Sequence, residues 1–240
     1  MRIKNQVVSI ILTFLICNIS FAGEKDMYNF SWLDPGKEVY VLQNRKFRKV
    51  DKVYLNFGLG LTTSGAFADG MLAQIRAGYF FKENWGIELL YSYNSGEEND
   101  TGATVRGASG GSGVGSIPFR RITDSYMGGM LVWSPFYTKI NTFNKVVYTD
   151  ITFGIGLASL TETNNDPEFT SGNIGQVLFE QETHMGLIWD FSWIIYLTQH
   201  WHARASLTTI HYKAEGPTSL GSESEFDENW DAVLSLGYRF

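Results

Sequence analysis

The sequence predicts an all-β fold, eight antiparallel strands closed into an up-and-down transmembrane β-barrel, with an N-terminal segment outside the ring. Three observations predict it. Segments of about ten residues alternate apolar with small or polar residues, the period-2 signature of a strand with two unlike faces. Glycine (25) and aromatic residues (15 %) are abundant, yet beyond the N-terminus the longest apolar stretch, Met185–Leu197, is interrupted by Asp190. It is too short for a spanning helix of about 20 residues. The expected connections alternate between short turns and long loops, the asymmetry of single-chain membrane barrels.

The last segment, Trp230–Phe240, shows the pattern most clearly. Trp230, Ala232, Leu234, Leu236, Tyr238 and Phe240 share one face, and Asp231, Val233, Ser235, Gly237 and Arg239 share the other. Aromatics at both ends with aliphatics between them match a lipid belt flanked by aromatic girdles. In water such a strand would promote aggregation.

The chain begins with Arg2 and Lys4, then an apolar run from Val7 to Ile16, then Ser20-Phe21-Ala22. This is the layout of a secretory signal peptide over residues 1–22, with cleavage expected after Ala22. Cys17 is the one cysteine, and Ile16 stands where a lipoprotein signal needs a small residue, so no lipid anchor, disulfide or cysteine metal site is expected. The net charge of −6 becomes more negative once the two basic residues of the leader are lost, which argues against nucleic acid as a partner.

Residues 23–52 read as a polar lead-in on the inner side of the membrane. It has a turn at Asp34-Pro35-Gly36, a short extended stretch Glu38–Leu42, and a basic cluster of Arg45, Lys46, Arg48, Lys49 and Lys52 expected in solvent, with a periplasmic latch or contact with anionic lipid headgroups as the rival reading. The barrel is expected over 53–240. Val53–Leu61 turns Val53, Leu55, Phe57, Leu59 and Leu61 outward. Met71–Phe80 turns Ile75, Ala77 and Tyr79 outward with Gln74, Arg76 and Gly78 inward, and Trp85–Tyr93 places Glu88 inward. Ile122–Trp133 has no clear phase, and its Gly128-Gly129 pair suggests a bulge. Val146–Ala158 directs Asp150, Gly154 and Gly156 inward; Thr183–Leu197 directs Asp190 and Ser192 inward; Trp201–Tyr212 directs Arg204, Ser206 and Thr208 inward. Loops are expected at 62–70, 94–121, 159–180 and 213–229, with turns at 82–84, 134–145 and 198–200. The Gly/Ser-rich run in the second loop, GASGGSGVGS, lacks the lysine and Ser/Thr of a phosphate-binding loop.

A soluble ligand-binding barrel would reverse these faces, apolar inside and polar outside. The glycine- and charge-rich inward set and the Trp/Tyr edges of the apolar set favour the membrane form.

At this point the chain resembles the small eight-stranded outer-membrane β-barrel proteins of the OmpA/OmpX-like superfamily, and more closely the "outer membrane beta-barrel domain" proteins. The resemblance is carried by EVYVLQNRKFRK (Glu38–Lys49), RAGYFFKENWGIELLY (Arg76–Tyr91) and the closing LGYRF. It implies a Gram-negative cell-envelope protein in contact with outer-membrane lipids and lipopolysaccharide. It also implies a C-terminal strand, with Tyr238 and Phe240 as its spaced aromatic pair, that signals insertion to the barrel-assembly machinery. It implies no activity and no peptidoglycan-binding domain.

The inward charges are Arg76, Glu88, Asp150, Asp190, Arg204, Asp231 and Arg239, expected to pair because an isolated charge in so narrow a space is costly. The paired set reads as a plug, and the rival reading is a narrow pore for ions or small solutes. Enzyme readings are weaker. A lipid A deacylase places His two residues before Ser, whereas here His202 and Ser206 are four apart and face inward. Asp124 and His211 near a rim suggest an omptin-like protease, which needs two more strands. His184, His200, His202 and His211 show no metal-ligand spacing, and no cofactor is expected. The acidic loop ends (Glu97, Glu98, Asp100, Glu223, Glu225, Asp227, Glu228) read as solvated charge, with divalent-cation binding as the rival.

Overall fold

The computed structural model describes residues 45–64, 67–108, 119–142, 145–167, 179–215 and 224–240. The expected signal peptide, the 34–36 turn, the 38–42 stretch and most of the Gly/Ser-rich run lie outside these residues. The chain divides into two units, Met1–Lys46 and Phe47–Phe240. Only Arg45 and Lys46 of the first are described, and the account below concerns the second.

Eight strands follow one another: β1 Lys52–Ser64, β2 Ala68–Phe80, β3 Trp85–Glu98, β4 Arg121–Thr142, β5 Lys145–Asn164, β6 Glu180–Tyr196, β7 Trp201–Glu215 and β8 Ser224–Arg239. Each pairs antiparallel with the next, and β8 closes on β1, with Leu59 opposite Leu234. A closed ring leaves no ladder edge in the bilayer, where an unpaired backbone group has no water to turn to.

The faces divide as the alternation predicts. Leu59, Met71 and Leu234 are 73, 71 and 72 % exposed, while Asn56, Arg76 and Glu88 are buried at 1 % each. A soluble barrel would have the reverse, so the outward aliphatics define a lipid face. Near the short-turn end an aromatic row runs across four adjacent strands. Trp85 lies 6.1 Å from Trp133, Trp133 6.1 Å from Phe153, and Phe153 5.5 Å from Phe191, each pair directly opposite in the ladder.

The strands are longer than expected. Residues 62–64 and 68–70 belong to β1 and β2, so the strands take up most of the loop expected over 62–70. The ladders likewise run into the regions expected as loops at 94–121, 159–180 and 213–229. At this end the outward positions turn polar, for example Thr63, Asp69, Ser95, Ser125 and Thr183, while the ladder continues. The apolar alternation marks the lipid belt, and the strands outlast it. A helix, α1 Asp100–Ala108, begins the connection after β3. Asn99 caps it, its side-chain oxygen accepting from the Gly102 N–H at 3.0 Å.

Residues 134–142 and Lys145, expected within a turn, belong to β4 and β5, which stay paired beyond the start of β3, where Trp85 pairs with Trp133. Pro135 sits at a register shift between Trp133 and Phe136. Within that shift Pro135 has no β5 residue paired with it, so the missing proline N–H breaks no ladder bond. Gly128-Gly129, expected to bulge, stays in register opposite Ala158 and Leu157, and the other shift lies between Thr123 and Ser125. The phase of β4 is now fixed: Tyr126, Met130 and Val132 point inward, and Met127, Leu131 and Trp133 outward.

Candidate functional site

The lumen is filled in layers, and the central layer is a knot of four charged side chains. Arg76 on β2 and Glu88 on β3 stand on one wall, Asp190 on β6 and Arg204 on β7 on the opposite wall. Arg76 Nη1 donates to Glu88 Oε1 at 3.0 Å and to Asp190 Oδ1 at 2.9 Å. Arg204 Nη1 lies 2.5 Å from Glu88 Oε2, and Nη2 lies 3.0 Å from Asp190 Oδ2. Each cation bridges the bore to both anions, and the set is electrically neutral. Remaining donors and acceptors are also used. Arg76 Nη2 donates to Thr208 Oγ1 at 2.7 Å, Arg204 Nε to Ser192 Oγ at 2.9 Å, and Thr208 Oγ1 to Asp190 Oδ1 at 2.8 Å. A buried ion pair persists in this form only when its spare lone pairs and protons are satisfied.

Tyr54 reaches the knot from β1 by crossing a glycine. Tyr54, Gly78 and Glu88 are successive partners across β1, β2 and β3. The phenol donates to Glu88 Oε2 at 2.5 Å. A Cβ on Gly78 would run into the Tyr54 ring, so the hydrogen bond depends on the glycine.

The other expected charges make different contacts. Asp150 meets Lys49 Nζ at 2.8 Å and accepts from the Tyr196 phenol. Asp231 accepts from the Tyr126 phenol and from Asn229 Nδ2, the latter at 2.9 Å. Arg239 donates to the Gln199 carbonyl at 2.7 Å and lies over the rings of Phe47 and Tyr196. Tyr238 packs edge-on against Trp201 at 5.2 Å and Phe240 at 5.0 Å on the lipid side.

At the short-turn end the segment before β1 enters the lumen. Phe47 stacks on Tyr196 at 4.8 Å and meets Tyr148 edge-on at 5.3 Å. Lys49, expected in solvent, is 2 % exposed and also donates to Ser134 Oγ at 2.5 Å. The reason is Asp150, which would otherwise be buried without a cation. A β-turn feeds this segment inward. The Lys52 N–H donates to the Lys49 carbonyl at 3.0 Å, and Asp51 takes φ 59° at the third position. The Glu83 carboxylate accepts the Lys49 and Val50 N–H groups at 3.1 and 3.4 Å. Between this plug and the knot is a pocket of about 20 Å³, lined by Tyr54, Phe80, His202 and their neighbours, room for about one water.

Toward the long-loop end the lumen is partly apolar. Leu90, Tyr126, Met130, Leu160, Ile188 and Ile210 form one buried cluster. The sequence reading, centred on glycine and charge, did not single these out, although Leu90, Ile188 and Ile210 sit at inward positions of their own alternations. Beyond the cluster Arg121, placed in a loop by the sequence, pairs with Asp227 at 2.9 Å and lies 3.2 Å from Glu162. Glu98 pairs with Arg120 at 2.6 Å. Among the enzyme candidates, His202 and Ser206 are buried with no hydrogen bond between them, Asp124 accepts from Thr163 Oγ1 at 2.6 Å, and His211 accepts from Trp189 Nε1 at 2.9 Å. Among the described residues no hydrogen bond joins Asp124 to His211.

A ring of eight ladders, apolar outside and packed inside, defines an outer-membrane type of β-barrel. The chain belongs to the outer membrane protein beta-barrel domain family, whose model matches residues 46–240. It is similar in structure to the N-terminal β-barrel domain of Pseudomonas aeruginosa OprF, at 17 % identity over 80 % of this chain and 98 % of that one, with a TM-score of 0.44. Neisserial surface protein A matches at 12 % identity over 79 and 96 % of the two chains, with a TM-score of 0.45. Ail, the attachment invasion locus protein of Yersinia pestis, matches at 12 % identity over 80 and 99 %, with a TM-score of 0.42. A comparison with curated proteins gives no match.

Proposed function

We propose that the chain is a non-enzymatic outer-membrane barrel with a closed lumen, whose long loops carry a structural or surface-interaction role. The observation that carries this reading is the charge knot. Two arginines and two carboxylates from opposite walls bond across the bore, at about 1 % side-chain exposure. A barrel of eight strands has room for little more than its own side chains. The Phe47–Lys49 plug adds a second closure. Binding then falls to loops held on a rigid scaffold. In this reading the long-loop end faces outward and the plug faces the periplasm. Residues 1–22 are removed after Ala22, Tyr238 and Phe240 engage the barrel-assembly machinery, and the outer belt meets lipid and lipopolysaccharide.

The test is single-channel conductance of the refolded chain in a planar bilayer, after a heat-shift gel establishes that it is folded. No discrete steps are expected. Steps whose size changes in Asp190→Asn or Arg204→Gln would establish an ion path and overturn the closed-lumen reading.

A further inference from the structure

We propose that the long-loop mouth of the barrel holds a divalent transition-metal site of the Zn²⁺ class, built from Glu162, Glu182 and His184. The inference is independent of whether the lumen conducts. Glu182 and His184 are two apart on β6 and so share the inward face. Glu162 on β5 is directly opposite Glu182 in the ladder. The register therefore brings two carboxylates and an imidazole together without any loop.

The geometry suits a metal. His184 Nε2 lies 3.2 Å from Glu162 Oε1 and 3.3 Å from Glu182 Oε2, and the three donor atoms lie within 4.8 Å of one another. Ligands about 2.0–2.1 Å from a tetrahedral Zn²⁺ are separated by roughly 3.3 Å. The supporting contacts are of the kind that orient ligands. The Tyr212 phenol donates to the other Glu162 oxygen at 2.7 Å, and its ring stacks on His184 at 5.4 Å.

Arg121 is the competing cation. Its terminal nitrogens are committed to Asp227 and the Glu215 carbonyl, and its Nε, 3.2 Å from Glu162 Oε1, makes no hydrogen bond there. An open recess of about 500 Å³, lined by Glu182, Thr183, His184, Lys213 and Glu215, leaves Glu182 and His184 open to solvent. The imidazole selects transition metals over Mg²⁺ and Ca²⁺, which prefer oxygen alone. No spacing in the sequence announces these three residues, because Glu162 falls in a stretch that reads as a loop and Glu182 just ahead of the expected Thr183–Leu197 strand.

The experiment is calorimetric titration of Zn²⁺ into the refolded, EDTA-stripped chain, without a histidine tag, in detergent micelles. One equivalent is expected to bind. His184→Ala and Glu182→Gln should each weaken binding at least tenfold, and Lys213→Ala, on the same recess, should not weaken it. Glu162 holds Tyr212 in place, so its variant risks misfolding; the two more exposed ligands carry the test, each variant first shown folded by its heat shift. Absence of stoichiometric binding would overturn the proposal. So would affinity unchanged in His184→Ala, or displacement of Zn²⁺ by a roughly hundredfold excess of Mg²⁺.

Discussion

Lys49 Nζ stands 2.8 Å from Asp150 Oδ2 with both side chains almost wholly removed from solvent. The pair joins the segment before β1 to the wall of β5 and holds that segment inside the short-turn mouth. Removing one partner leaves the other as a buried, unmatched charge. Lys49→Met is therefore expected to cost about 3–5 kcal/mol of stability, the range for breaking a buried pair. Adding Asp150→Asn should restore part of that loss, because the orphaned carboxylate is gone. Urea unfolding in micelles, followed by tryptophan fluorescence, measures both. A double variant as unstable as the sum of the two singles would mean that the residues do not act as a pair.

The central knot should behave as one unit. Arg76 and Arg204 each bond both Glu88 and Asp190, so each substitution strands groups that the others hold. A double-mutant cycle on Arg204→Met and Glu88→Gln should give a coupling energy of about 1–3 kcal/mol, as expected for contacting residues in one network. Additive effects, within about 0.5 kcal/mol, would show the four charges to be independent.

Gly78 offers a sharper probe of the same layer, because the substitution touches no charge. Gly78→Ala places a methyl group where the Tyr54 ring lies and pushes the phenol away from Glu88. Loss of a hydrogen bond to a buried charged group costs about 1.5–3 kcal/mol. Tyr54→Phe removes the bond without the clash and should cost no more than that. If Gly78→Ala unfolded at the same urea concentration as the parent, the ring would have another place to go.

Fold and lumen differ in how far the sequence discloses them. The lipid belt was fully legible, since Leu59, Met71 and Leu234 announce an outward apolar face by alternation alone. The strand ends were not. Beyond the bilayer the outward positions become polar at Thr63, Ser95 and Thr183, and the ladder continues without the signal that revealed it. The inward position of Arg76, Glu88, Asp190 and Arg204 followed from phase. Their meeting did not, because it depends on closure placing β2 and β3 opposite β6 and β7. Lys49 was illegible for a different reason. Its cluster of basic neighbours reads as a solvated run, and neither Asp150 across the lumen nor the turn at Asp51 can be read from that run.

That turn yields the last prediction. Asp51 holds φ 59° at the third position of the 49–52 turn, its N–H donating to the Phe80 carbonyl at 2.8 Å and its carboxylate accepting from the Tyr79 phenol at 3.0 Å. A left-handed conformation costs an ordinary L-residue about 1–2 kcal/mol, is tolerated by aspartate, and is free for glycine. Asp51→Gly should therefore keep the turn, at the expense of the exposed Tyr79 contact alone. Asp51→Val adds a β-branched side chain where φ is positive, and should destabilise the turn by about 1–2 kcal/mol. If the turn is what drives Phe47 and Lys49 into the lumen, Asp51→Val should also make residues 45–50 cleavable by trypsin at Lys46, Arg48 and Lys49, while the barrel keeps its heat shift. Equal protease resistance in Asp51→Val and Asp51→Gly would show that the Lys49–Asp150 pair and the Phe47 stack hold the plug without the turn.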